Sequence, residues 1–150
     1  MSQSLSRNIV HLVFSTKNRE PLLRADVRPD LHGYIGGILR QLESPAIVMN
    51  SVDDHIHILF VLSKNHALKK VVEEVKKGSS KWIKTKGEDF TEFYWQAGYG
   101  AFSVSQSNVA KVRRYIENQE DHHKMMGFQD ELRAFLQKHQ IEFDERFLWD

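Results

Sequence analysis

The sequence predicts an α+β fold, one antiparallel sheet with helices on one face, followed by further helices at the C-terminal end. Three observations carry this. Stretches with strand periodicity and stretches with helical periodicity follow one another as β-α-β-β-α-β. Turn-forming residues mark the junctions between them. The 150-residue length allows one domain over 1–150, large enough to bury about two-thirds of its unfolded surface.

Residues 8–15, Asn-Ile-Val-His-Leu-Val-Phe-Ser, are nearly continuous in apolar character and read as a central strand. Thr16 to Arg24 is a loop holding Lys17, Arg19 and Pro21. Leu31, Tyr34, Ile35, Ile38, Leu39 and Leu42 fall at helical spacing and predict a helix over 28–43, with Pro29 tolerable in its first turn. Ala46 to Val52 is a second strand, and Asp53-Asp54 turns the chain into a third that begins at His55. A lysine-rich helix is expected over 66–84, weakened near Gly78-Ser79-Ser80. A long aromatic strand follows over 93–104, with Gly98 and Gly100 suggesting a bulge or a close backbone approach. Ser107 is placed to cap a helix running to about His123. A shorter helix over 129–139 and an extended tail complete the chain. This order is that of the ferredoxin-like split βαβ arrangement.

Composition narrows the function classes. With no cysteine, disulfides, zinc–thiolate sites and cysteine nucleophiles are excluded. Residues 1–5 lack the apolar core of a signal peptide, and no apolar run approaches the roughly 18 residues of a membrane span. A cytoplasmic protein with no membrane association is expected. Net charge is only +1, yet its distribution is uneven. Residues 64–86 hold eight lysines against Glu73 and Glu74, whereas residues 117–150 hold nine acids against four basic residues. The basic helix either tracks phosphates or is simply a solvated face.

Two constellations can carry chemistry. His55 and His57 lie two apart on a strand, so both side chains project from one face about 7 Å apart and can converge on one ion, while Ile56 enters the core. The alternative is a pair of partnered structural histidines. Tyr115 and Gln119 lie one helical turn apart. Gln119 falls near the middle of the stripe made by Val109, Val112 and Ile116, where an unpaired amide would cost about 1–3 kcal/mol. An interior metal or hydrogen-bond partner would resolve this. Tyr115 is otherwise a core-margin tyrosine with a wet hydroxyl. His123, one turn beyond Gln119, is a possible further member, but His122 and His123 read first as a solvated helix end. Arg113 and Arg114 face away from the stripe. No Gly-x-x-x-x-Gly-Lys phosphate loop occurs.

His55-Ile56-His57 followed by Tyr115-Ile116 and Gln119 resembles the single-tyrosine HUH transposases of small insertion sequences, the insertion sequence 200/605 (TnpA-like) family. The opening His11 to Arg19, the Asp54-His55 turn and the segment Trp95 to Val104 are similar to that family too, although Asp53 stands where a proline often precedes the Asp-His. The resemblance implies that Tyr115 attacks single-stranded DNA and leaves a 5′-phosphotyrosine link and a free 3′-OH. His55, His57 and Gln119 would hold a divalent ion, Mg²⁺ or Mn²⁺. It also implies a homodimer with the site shared between subunits, so that Tyr115 acts in trans. The substrate implied is single-stranded DNA with subterminal hairpins, with Lys17, Arg19, the 64–86 helix, Arg113 and Arg114 as candidate contacts. Two rivals remain: a domesticated or other HUH single-strand endonuclease, and a non-catalytic nucleic-acid-binding module whose aromatic segment stacks bases.

Overall fold

A computed structural model describes residues 2–150. Four strands, β1 (Asn8–Ser15), β2 (Ala46–Ser51), β3 (His55–Leu62) and β4 (Gly100–Val104), form one sheet in the order β2-β3-β1-β4, every pairing antiparallel. Helices α1 (Arg28–Gln41) and α2 (Leu68–Ile83) cover one face. The C-terminal helices α3 (Val109–Glu117), α4 (Gln119–His123) and α5 (Phe128–Lys138) lie against the other. The α+β, ferredoxin-like expectation therefore holds, and the sheet is covered on both faces.

Alternation along the two central strands assigns the faces. Val10, Leu12 and Phe14 of β1 join Ile56, Ile58 and Phe60 of β3 under α1 and α2, which contribute Leu31, Ile35, Leu39, Val71, Val72 and Val75. On the opposite face two smaller apolar clusters form. Val13 and Phe102 pack with Phe128, Leu132 and Leu136 of α5. Ile9 and Leu59 pack with Ile116, and with the half-buried Val109, Val112 and Tyr115 of α3. Among the described residues no helix is long and apolar enough to cross a membrane.

Three local expectations are corrected. The predicted strand over 93–104 shrinks to Gly100–Val104, joined to the sheet earlier only by a Thr16–Trp95 bridge. The Gln96 side chain accepts a bond from the Ser15 N–H at 2.8 Å, and Phe93 and Trp95 turn into the core, so the aromatic run packs rather than ladders. The α2 helix does not break at Gly78-Ser79-Ser80. Ser79 Oγ donates to the Val75 carbonyl at 2.6 Å and accepts from Trp95 Nε1 at 2.9 Å. Gly78 faces Ile38, and a Cβ there would lie 2.7 Å from Ile38 Cδ1, so the glycine permits close α1–α2 packing.

The helix expected over 107–123 is divided at Asn118, and Ser107 is not its cap: it sits in a 3-10 turn (Gln106–Asn108) with its hydroxyl on that of Ser105. The cause of the division is distant in sequence. Asn50 of β2 donates its side-chain amide to the Ile116 and Glu117 carbonyls at 2.9 and 3.2 Å, satisfying the end of α3.

Phe60 is fully buried, and truncating Phe60→Ala is expected to cost about 3–5 kcal/mol in urea denaturation. His32 of α1 bonds Ser51 Oγ of β2 at 2.7 Å, and burial first, then nearby Arg28, lowers its pKa from 6.5 to about 4. Below the unfolded value the unfolded chain takes up a proton that the folded chain does not. The His32 contribution is thus full above pH 6.5 and shrinks as pH falls towards 4. Unfolding free energies at pH 7 and pH 4.5 should differ less in His32→Gln than in the wild type; equal differences would refute this.

Candidate metal and nucleophile site

β3 projects His55 and His57 from the sheet face that carries α3 to α5, opposite Ser15 and Val13 of β1. Both are essentially inaccessible. A strand cannot leave such groups unpartnered in a low-dielectric interior without a cost of kilocalories each. All buried side-chain polar atoms among the described residues do find partners.

Each imidazole is held from behind through Nδ1. Asp54 Oδ1 lies 2.6 Å from His55 Nδ1, so the carboxylate accepts from that N–H and directs Nε2 inward. His57 Nδ1 lies 2.8 Å from Nε2 of His11, which stands diagonally across on β1. Burial, with His57 adding to it, lowers the His11 pKa to about 3, so His11 stays neutral and can serve as partner in either tautomer.

The two Nε2 atoms meet donors from the C-terminal helices. His123 Nε2 of α4 lies 2.9 Å from His55 Nε2 and 2.8 Å from Gln119 Oε1. Glu131 of α5 places Oε1 at 2.8 Å from His57 Nε2, 3.3 Å from His55 Nε2 and 3.2 Å from His123 Nε2. His55, His57, His123 and Glu131 thus offer ligand atoms all within 4.8 Å of one another. Three imidazole nitrogens and a carboxylate oxygen therefore converge on one point. Imidazole and carboxylate donors so grouped are a set that fits a divalent metal.

Charge in the cluster follows from its neighbours. Burial opposes a charged His55, but Asp54 and Glu131 outweigh it and raise the pKa. Burial prevails at His57 and lowers it. Burial would raise Glu131, yet hydrogen bonds from His123, His55 and His57 hold it well below the carboxylate range.

Tyr115 of α3 stands at the rim. Its hydroxyl donates to Glu131 Oε2 and lies 3.1 Å from His122 Nε2. Burial, and then the adjacent Glu131 charge, raise the phenol pKa, so here it is a neutral hydroxyl. Two clefts of about 190 and 210 Å³ flank the ring; Lys111 and Lys138 line the first, and Met126 and Ala134 the second.

Sequence reasoning placed His55, His57, Tyr115 and Gln119 together, and the structure brings them into one neighbourhood. Gln119 is fully buried; its amide nitrogen returns to the Tyr115 carbonyl at 3.2 Å and its oxygen meets His123 rather than the His55/His57 pair directly. The reading of His122 and His123 as a solvated helix end is corrected: both rings face the cluster, His123 against Glu131 Oε1 and His122 against Oε2. Glu131 was missed. A usable signal existed, because Glu131 interrupts the buried stripe of Phe128, Leu132 and Leu136, as Gln119 interrupts that of α3.

The four expected DNA contacts lie elsewhere. Lys17 and Arg19 sit in the loop after β1, whose Thr16 N–H bonds the Asp54 carbonyl at 2.8 Å. Arg113 pairs with Glu117 at 3.0 Å, and both Arg113 and Arg114 are exposed. Part of the lysine-rich helix is occupied structurally: Lys76 donates to the Gln96, Ala97 and Gly98 carbonyls, and burial lowers its pKa to about 8.

Residues 4–119 match the family described as "Transposase IS200 like". The chain belongs to that family. It is 26% identical over 116 residues to the ISDra2 transposase TnpA of Deinococcus radiodurans, spanning 74% of this chain and 83% of that protein. A crystal structure of a candidate transposase from Deinococcus radiodurans R1 shares the fold, with a TM-score of 0.62 at 23% identity over 79% of this chain and 98% of that one. A REP-associated tyrosine transposase bound to a REP hairpin does so at 0.61 and 14% identity, over 84% of this chain and 76% of its own. Family membership makes this an insertion-sequence 200/605 TnpA-like transposase, a DNA-cleaving enzyme by class.

Asp54→Asn and His11→Phe should each weaken Mn²⁺ affinity by about 10–100-fold, because each frees a ring that the partner now orients. Titration calorimetry at fixed pH measures this; wild-type affinity in both variants would contradict it.

Proposed function

We propose that the chain, acting as one domain over 1–150, cleaves and rejoins single-stranded DNA at insertion-sequence ends through a 5′-phosphotyrosine link to Tyr115. The observation that carries this reading is the Tyr115 hydroxyl at the rim of a three-imidazole, one-carboxylate cluster in a chain of transposase family. In the proposal His55, His57 and Gln119 hold a divalent ion, Mg²⁺ or Mn²⁺, with His123 alongside. When bound, the ion supplies electrostatic stabilisation to the scissile phosphate's non-bridging oxygens.

The chain's own groups do the remaining work. At pH 7 a free phenol of pKa about 10 is about 0.1% ionised, so making the nucleophile costs about 4 kcal/mol, and burial raises that cost here. Tyr115 Oη would bond to phosphorus as the P–O3′ bond breaks, leaving the 3′-OH free. The aryl phosphodiester retains a good leaving group, so rejoining by a DNA 3′-OH needs no nucleotide hydrolysis. Asp54 and His11 keep the imidazole nitrogens aimed inward throughout.

The substrate is proposed to carry subterminal hairpins, in keeping with the hairpin-bound relative. Lys17 and Arg19, in the loop whose Thr16 N–H bonds the Asp54 carbonyl, are proposed to meet its backbone, with Arg113 and Arg114 as outlying contacts. A homodimer is retained in the proposal. Its site is proposed to be shared between subunits; within one chain the Tyr115 hydroxyl contacts Glu131.

Incubated with hairpin-bearing single-stranded DNA and Mn²⁺, the wild type should give a covalent protein–DNA adduct on a denaturing gel, and Tyr115→Phe none. An adduct surviving in Tyr115→Phe, or absent from the wild type with every end sequence of its own flanking DNA, would remove this function.

A further inference from the structure

We infer that Glu131 couples the nucleophile to the metal: one carboxylate oxygen completes the cation's protein donors while the other holds the Tyr115 hydroxyl. The inference rests on the proposed function, and it concerns a residue outside the 4–119 segment that matches the family.

The geometry of Oε1 supports ligation. It lies 2.8, 3.3 and 3.2 Å from the Nε2 atoms of His57, His55 and His123. Donors at about 2.0–2.2 Å from an ion stand roughly 2.8–3.1 Å apart at adjacent octahedral positions and 3.3–3.6 Å apart in a tetrahedral array. The three Oε1 contacts fall in that range, while the four ligand atoms together lie within 4.8 Å of one another, so Oε1 is placed at the spacing of a donor. Larger coordination numbers leave positions for phosphate oxygens beyond these donors.

The second oxygen has a separate task. Oε2 accepts from the Tyr115 hydroxyl and lies 3.0 Å from His122 Nε2. Only a carboxylate presents acceptors on both sides; a carboxamide in its place would turn an NH₂ group towards either the cation or the phenol. Charge points the same way. Three neutral imidazoles leave a divalent ion with its full charge, whereas one carboxylate reduces it to a single positive charge that matches one phosphodiester.

The side chain's placement is built, not incidental. Phe128, Leu132 and Leu136 seat α5 on Val13 and Phe102. Leu132, next to Glu131, fits against Gly100, where any Cβ would lie 2.9 Å from Leu132 Cδ1. Glu131 itself is 2% exposed. A charged carboxylate so buried needs partners of this kind.

The test separates coordination from chemistry by working first without DNA. Calorimetric Mn²⁺ affinity, and the tyrosine ultraviolet difference signal produced on adding Mn²⁺, are measured in wild type, Glu131→Gln, Glu131→Asp and Tyr115→Phe. Glu131→Gln should lose affinity by at least about 10-fold and lose the tyrosine signal that Tyr115→Phe also lacks. Should Glu131→Gln unfold, Glu131→Asp, which keeps the charge but shortens the reach, should retain more affinity than Glu131→Ala. With hairpin DNA, Glu131→Gln should form adduct at least about 100-fold more slowly. Wild-type Mn²⁺ affinity in Glu131→Gln, or adduct formation equal to or faster than wild type, would overturn the inference, the latter marking Glu131 as an obstruction. A wild type that makes no adduct at all would instead fail the transposase reading, while the metal and tyrosine measurements still decide the role of Glu131.

Discussion

Burying two imidazoles on a central strand is the constraint from which the second half of this molecule follows. His55 and His57 sit on β3, between β2 and β1, so water cannot reach them from either edge. Their outward nitrogens must be met by something the chain supplies later. His11 and Asp54 take the rear nitrogens, and α4 and α5 bring His123 and Glu131 to the front. The result is a polar island between two apolar clusters, one anchoring α5, which carries Glu131, and the other α3, which carries Tyr115. Packing and polar satisfaction are thus solved together: moving α5 would both expose Phe128 and Leu132 and strip the histidines of a carboxylate.

The electrostatics of the island are balanced between strands and helices. Asp54 and Glu131 favour a proton on His55, whereas burial denies one to His57 and His11. The Glu131 carboxylate, within 3.3 Å of His55, His57 and His123, holds the cluster together. A divalent ion would take over that role, which makes metal binding and proton release two descriptions of one event. Tyr115, kept neutral by burial and by Glu131, stands where this exchange of charge is felt most directly.

Much of this was legible in residue order. The β-α-β-β-α-β sequence could be read because α1 and α2 show helical stripes and β1 and β3 show apolar runs with turns between them, patterns set by local geometry. His55 and His57 were readable as a pair because strand alternation alone places them on one face. Gln119 betrayed itself as an amide within an apolar stripe. The division of α3 from α4 was not readable, since the group that ends α3 is Asn50, brought near only when β2 joins the sheet. His123, one turn beyond Gln119, was readable as a possible member, but nothing local distinguished it from a solvated helix end. The 93–104 segment was overextended because aromatic content suits both a strand and a core plug; Gln96 and Ser79, through their side-chain bonds, decided for the plug.

What the sequence by itself determined are the choices made by periodicity and residue chemistry: the fold class, the paired imidazoles, the tyrosine one turn from a glutamine, and membership of a transposase family whose motifs those residues spell. What only the tertiary structure decided is the company those residues keep. Glu131 and His123 reach the histidines across 68 to 76 positions of chain, through helices whose direction depends on a distant cap and on a glycine-lined seat in β4. Local pattern reports which face a side chain takes; it holds no information about which other face will be laid against it, because that is set by the free energy of burying whole surfaces at once.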